Sequence, residues 1–157
     1  MFEQLKKLFI GDVQPEKPAE KVESPSEEKK LQIATCAIFL EMAKIDQDFT
    51  NEEMNEIIEI MQKTFKIDKE YVKELIDVAE SRLEKSVSMY EFTGIVNEHF
   101  SLDQKFELMK NLWRLIYTDK KLDKYEDQLV KTLGTTLLLE HKDIIAAKLM
   151  VKEENKL

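Results

Sequence analysis

Ala43-Lys44-Ile45-Asp46-Gln47-Asp48-Phe49-Thr50-Asn51-Glu52-Glu53 and Ile116-Tyr117-Thr118-Asp119-Lys120-Lys121-Leu122-Asp123-Lys124-Tyr125-Glu126 carry one pattern twice: an Asp, an apolar residue three on and a Glu seven on, repeated at an offset of 73 residues. A segment of helical periodicity leads into each copy, through Ile38, Phe39, Met42 and Ile45 in the first and through Asn111, Leu112, Leu115 and Thr118 in the second. Another periodic segment follows each, so the repeated unit is helix, acidic turn, helix. This unit sets the fold class as all-α and makes the turn, rather than either helix, the place to look for function.

Composition agrees. The 157 residues suffice for one domain with a sizeable core. Hydrophobic residues make up 43% and charged residues 36%, and with only three Gly and three Pro the chain favours long helices over a turn-rich sheet. A formal charge of −8 disfavours nucleic acid, whose phosphates need a basic face, and suits cations or basic partners. The lone Cys36 stands in an apolar run, which leaves no intrachain disulfide or cysteine-ligated zinc and points to a reducing, cytoplasmic setting. No secretory signal is legible, and the apolar run from Leu31 to Leu40 is too short to span a bilayer.

Residues 1–10 place Phe2, Leu5, Leu8 and Phe9 at helical spacing beside Lys6 and Lys7, a short amphipathic helix suited to docking on a membrane interface or a partner's groove. Residues 11–24, with Pro15, Pro18 and alternating Glu and Lys, read as a solvated linker. The helical domain is expected over residues 25–153, with a frayed tail at 154–157. Ser24-Pro25-Ser26-Glu27 opens a first helix running to about Ile45. Thr50 with Glu53 opens a second, whose buried stripe is Met54, Ile57, Ile58, Met61 and Phe65. Asp68 caps a third to about Glu84, Ser88 with Glu91 opens a fourth, and Ser101 with Gln104 a fifth carrying Phe106, Met109, Leu112, Trp113 and Ile116. Asp123 with Glu126 opens a sixth, and after Leu139 a break at Glu140-His141 leads into the last. Seven domain helices with short connections imply a compact bundle. Gly134 inside a helix costs about 1 kcal/mol against Ala, and close helix approach is its expected reason.

The acidic turns read two ways. Thr50 with Glu53 and Asp123 with Glu126 are good helix caps, worth ~1 kcal/mol each. Capping leaves Asp46 and Asp119 unexplained, because a carboxylate at the end of the preceding helix meets the negative end of its dipole. Between Asp46 and Gln62 stand Asp48, Glu52, Glu53, Glu56 and Glu59 with no Lys or Arg, and Glu52 and Glu56 repel at i,i+4. A cation would offset both; with no thiolate or histidine nearby, the donors select Ca²⁺, Mg²⁺ or Mn²⁺ over zinc or copper. An EF-hand is excluded, since Asn51 stands where its loop needs Gly and Ile57 where it needs the bidentate Glu. The other reading is capped helix ends plus a solvated acidic face, a metal-free adaptor on which Glu52, Glu56 and Glu59 meet a basic partner.

Paired helical hairpins with this Asp, apolar and Glu spacing resemble the tellurite-resistance TerB family over about Glu28 to Lys152. The two quoted stretches carry the resemblance, together with the closing Glu140-His141-Lys142-Asp143-Ile144. Family members commonly have Gly after the turn Asp, where Gln47 and Lys120 stand here. The resemblance implies pseudo-twofold related halves that bring the turns together. Asp46 and Glu53 would then join Asp119 and Glu126 in one divalent-cation site, with Asp48 and Asp123 as auxiliary ligands. It also implies a non-enzymatic module of membrane-associated stress-response assemblies. The residues themselves offer no catalytic constellation: His99 and His141 are isolated helix-end or surface residues, and Gly11, Gly94 and Gly134 are too far apart for a phosphate loop.

Overall fold

A computed structural model describes residues 25–44, 50–86, 88–119 and 124–155, with backbone only at 25–26, 119, 124–126 and 155. Among the described residues there are seven α-helices and no strand: α1 Pro25–Ala43, α2 Asn51–Phe65, α3 Lys69–Lys85, α4 Tyr90–His99, α5 Leu102–Ile116, α6 Lys124–Thr136 and α7 His141–Asn155. A 3-10 turn, Tyr117–Asp119, follows α5. The expected N-terminal helix over 1–10 and the linker over 11–24 lie outside the described residues.

Helix α1 differs from the rest. Every residue from Leu31 to Leu40 is buried, including Gln32 and Thr35. A helix with no polar face cannot lie on a surface, so its surroundings must be protein on all sides. Thr35 makes this tolerable by donating its hydroxyl to the Leu31 carbonyl at 2.8 Å. Cys36 is fully buried, and burial first, then the charge of Glu80, pushes its thiol up to about 12, which leaves it an inert hydrophobe. The Lys44 ammonium, just past the end of α1, reaches Glu80 of α3 at 3.0 Å.

The remaining helices present one apolar stripe each. In α2, Ile57, Ile58, Ile60 and Met61 are buried, while Met54 and Phe65 pack partly buried against the same core. Three expected starts are realised. The Thr50 hydroxyl accepts from Glu53 N–H (3.1 Å) while the Glu53 carboxylate accepts from Thr50 N–H (3.0 Å). Ser101 and Gln104 repeat this reciprocal pair on α5, and Asp68 accepts from Tyr71 N–H on α3.

Two expected boundaries shift. Ser88 does not cap through Glu91: its hydroxyl accepts from Tyr90 N–H (3.2 Å), two residues on, and its carbonyl is taken by the Ser86 hydroxyl (2.9 Å). This local turn outcompetes the capping box, so α4 starts at Tyr90 behind Met89, which has no side-chain cap. Helix α6 stops at Thr136 rather than Leu139, because Leu138 adopts a left-handed backbone (φ 67°) closed by Leu139 N–H to Gly134 O at 3.0 Å. The reversal leaves Leu138 66% exposed while Leu137 and Leu139 both return to the core.

Sequential helices pack as their short connections require: α2 on α3, α5 on α6, and α6 on α7. Helix α5 is the hub of this layer, meeting α2, α6 and, most extensively, α7. Trp113 of α5 is fully buried and donates its indole N–H to the Ile144 carbonyl of α7 at 3.2 Å. Gly134 of α6 faces the same helix, where a Cβ would lie 2.5 Å from Ile144 Cδ1, 2.6 Å from its Cγ1 and 3.1 Å from the Met109 sulfur.

Close approach therefore explains Gly134. Gly134→Ala gains roughly 1 kcal/mol of helix propensity, but overpacking a buried contact costs about 1–3 kcal/mol, and a net loss in the urea midpoint is expected. In an Ile144→Ala background, where the obstructing side chain is gone, the same substitution is expected to be neutral or stabilising.

Candidate functional site

The first acidic turn leads from α1 to the Thr50 cap of α2. Asp46 and Asp48 lie outside the described residues. Glu53 is described and is 4% exposed, its carboxylate folded back onto the Thr50 N–H. The second turn leaves α5 through the 3-10 turn Tyr117–Asp119, and α6 begins at Lys124. Asp123 lies outside the described residues, and Asp119 and Glu126 are described in backbone alone. The 3-10 turn bearing Asp119 packs against α2, the helix that Glu53 helps to open. Elements of the two repeated units therefore meet, as a shared site requires. Among the described residues no three potential metal ligands cluster. The docking residues expected at Phe2, Leu5, Leu8 and Phe9 also lie outside them.

Beyond the second turn stands a closed polar network. Asp127, near the start of α6, takes Lys131 of its own helix at 2.9 Å and Lys148 of α7 at 2.9 Å. Burial opposes ionisation of Asp127, yet the hydrogen bonds from Lys148 and Lys131 outweigh it and hold the carboxyl below its usual range. The Lys148 ammonium also lies 5.1 Å from the centre of the Trp113 ring, on which Tyr117 stacks at 6.3 Å and 22°. The Tyr117 hydroxyl is buried with no hydrogen-bond partner among the described residues, and its pKa is raised by burial and by the Asp127 charge.

A groove of about 440 Å³ separates α2 from α5. Glu56, Glu59, Ile60, Lys63 and Thr64 line it from α2, and Glu107, Asn111 and Arg114 from α5. Arg114, one of only two arginines in the chain, organises its far wall. Its Nη2 and Nε fork onto Glu154 of α7 at 2.7 and 3.1 Å, and its Nη1 donates to Asn111 Oδ1 at 2.6 Å and to Glu107 at 3.4 Å. This forked pairing raises the guanidinium pKa and lowers that of Glu154. Glu56, half-buried, makes no hydrogen bond or ion pair among the described residues; burial and then the charge of Glu59 raise its carboxyl pKa, against weaker lowering by Arg114 and Lys63.

Of the acidic face expected to meet a partner, Glu56 and Glu59 line this groove while Glu52 is exposed outside it. After burial, the charge of Glu59, which lines the same groove, raises the Glu56 carboxyl pKa. Arg114 and Glu154 were not singled out from sequence. Their pairing joins residues 40 apart, and the one legible signal was an arginine in a chain that uses lysine at all but two of its basic positions. His99 closes α4 and His141 begins α7, both at helix ends as expected.

The described helices define an all-α module in which α1 and α2 flank the first acidic stretch and α5 and α6 the second. The model of the family described as Tellurite resistance protein TerB matches residues 32–149, a span that takes in both acidic turns. The chain belongs to the TerB family. No curated protein and no solved structure matches it.

Two carboxylates of opposite circumstance give opposite pH signatures. Asp127 is held low in the fold, so its stabilisation is complete above its ordinary 3.8 and is lost as pH falls through the lower folded value. Asp127→Asn is expected to cost about 1–3 kcal/mol at neutral pH, and the cost should shrink in urea melts under strong acid. Glu56 is held high, so its charge destabilises the fold at neutral pH, and the penalty vanishes as pH falls below the ordinary 4.5. Glu56→Gln is therefore expected to be more stable than the parent at neutral pH, with the two curves converging below the ordinary carboxylate range.

Proposed function

We propose that this TerB-family domain is a non-enzymatic module that binds a divalent cation through its paired acidic turns, with Asp46 and Glu53 from one unit and Asp119 and Glu126 from the other. Asp48 and Asp123 are auxiliary oxygen donors. The observation that carries the reading is the packing of the Asp119-bearing 3-10 turn against α2, which joins the two halves of the repeat. The donor set is all carboxylate, and hard oxygen donors without thiolate or imidazole fit Ca²⁺, Mg²⁺ or Mn²⁺. Bound there, the ion would neutralise the carboxylates that end one helix and begin the next.

The setting we propose is a tellurite or metal stress response in the cytoplasm, with the domain acting as a scaffold at the membrane surface. Among the described residues no helix is long and apolar enough to cross a membrane. Contact with the bilayer would fall to Phe2, Leu5, Leu8 and Phe9, and one short amphipathic helix is a reversible anchor that works together with a partner.

Thermal unfolding of chelator-treated full-length protein, titrated with Ca²⁺, Mg²⁺ and Mn²⁺, tests the ion site. An ion that binds only the folded state at about one hundred times its Kd adds about 2.7 kcal/mol, so Tm should rise by several degrees with the preferred ion. The rise should disappear in Asp46→Asn/Asp119→Asn. No response to any of the three ions, with a variant as stable as the parent, would leave the turns as helix caps alone.

A further inference from the structure

The α2–α5 groove is lined by an acceptor, Glu56, and an amide donor, Asn111 Nδ2, that have no partner among the described residues. Glu56, half-buried in the groove, has no cation within ion-pair distance among the described residues. On the opposite wall Asn111 is 7% exposed, and its carboxamide orientation is fixed because Arg114 donates to its Oδ1 at 2.6 Å. That leaves the Asn111 Nδ2 donor, on a residue that lines the groove, with no acceptor among the described residues and free to donate to an occupant.

Neighbouring charges do not fill the need. Arg114 is committed to Glu154 through a two-pronged hydrogen bond. Lys63 lies 4.0 Å from Glu59, with both side chains largely exposed, so that pair contributes little and is easily displaced. A metal ion fits poorly, since the guanidinium of Arg114 stands on the groove wall and no three metal ligands cluster among the described residues. At about 440 Å³ the space is far larger than an ion and suits an extended organic group.

We propose that the α2–α5 groove is a docking site for a basic segment of a partner protein. A lysine or arginine side chain of that segment enters between Glu56 and Glu59, and its peptide carbonyl accepts from Asn111 Nδ2. Charge complementarity selects this occupant: the chain carries a formal −8, and the carboxylates of the groove outnumber its cations. A free polyamine would satisfy the carboxylates but has no carbonyl for Asn111, which is why the donor and acceptor together point to peptide. The groove is distinct from the ion site, and its occupation does not depend on that site being real.

The test is an NMR titration of ¹⁵N-labelled full-length protein, kept in chelator, with acetyl-Ala-Lys-Ala-Arg-Ala-amide and, separately, with spermidine. The peptide is expected to shift amides of residues 56–64 and 107–114 in a saturable way. Glu56→Gln should raise its Kd about fivefold or more, and Asn111→Leu should also weaken it, whereas Glu52→Gln, outside the groove, should leave it unchanged. Binding should weaken with added KCl, as exposed charge pairs do. Shifts spread over the acidic surface, equal sensitivity to Glu52→Gln and Glu56→Gln, equal binding of spermidine, or no saturable binding at millimolar peptide would each overturn the proposal. Because every arm is free of divalent ions, failure here is separable from failure of the ion site.

Discussion

Burial of α1 from Leu31 to Leu40 is the constraint on which the rest of the bundle depends. Ten consecutive buried positions leave no direction in which this helix tolerates water, and each fully buried Leu, Ile or Phe among them contributes about 1.5–3 kcal/mol. Such a helix is unstable by itself in water and stable only when enclosed. The amphipathic helices supply the enclosure, because each has one apolar stripe to bury and one polar face to keep wet. Their residues and those of α1 form a single hydrophobic cluster.

Much of this was legible because it is local. Thr50 with Glu53, Asp68, and Ser101 with Gln104 act within three residues of themselves, so their chemistry decides the helix start without help from the rest of the chain. Ser88 shows the limit of that reasoning. Its pattern is equally good, yet a competing turn with Ser86 and Tyr90 uses the same hydroxyl and carbonyl. Leu138 shows another limit, since left-handed backbone at a leucine costs roughly 1–2 kcal/mol and is accepted only because it returns Leu137 and Leu139 to the core. Nothing local announces that exchange. For Gly134 the sequence announced a close approach, and only the fold identified Ile144 as the neighbour.

The site was legible as a pattern of carboxylates and illegible as a set of pairings. A run of acidic residues on α2 could not reveal that Glu56 and Glu59 face α5 while Glu52 faces solvent. That distinction follows from helix packing, which turns one strip of a charged face into a groove wall. Nor could it reveal the arginine across the groove, whose partner Glu154 comes from the last helix of the chain. Long-range polar pairs have no sequence period, and their geometry exists only after the apolar stripes have docked.

Two carboxylates on this scaffold show how partner supply separates structural from receptive polar groups. Asp127 receives two ammonium groups at 2.9 Å, and the Trp113 ring shares one of them, so the cost of burying its charge is met within the fold. Glu56 sits half-buried beside a second carboxylate, and the nearest strong cation, Arg114, is already engaged by Glu154 and Glu107. The Arg114–Glu154 fork therefore does more than join α5 to α7. The guanidinium is engaged there, and Glu56 stands without a salt bridge among the described residues, which is the unfavourable charge on which the proposed docking of a basic side chain rests.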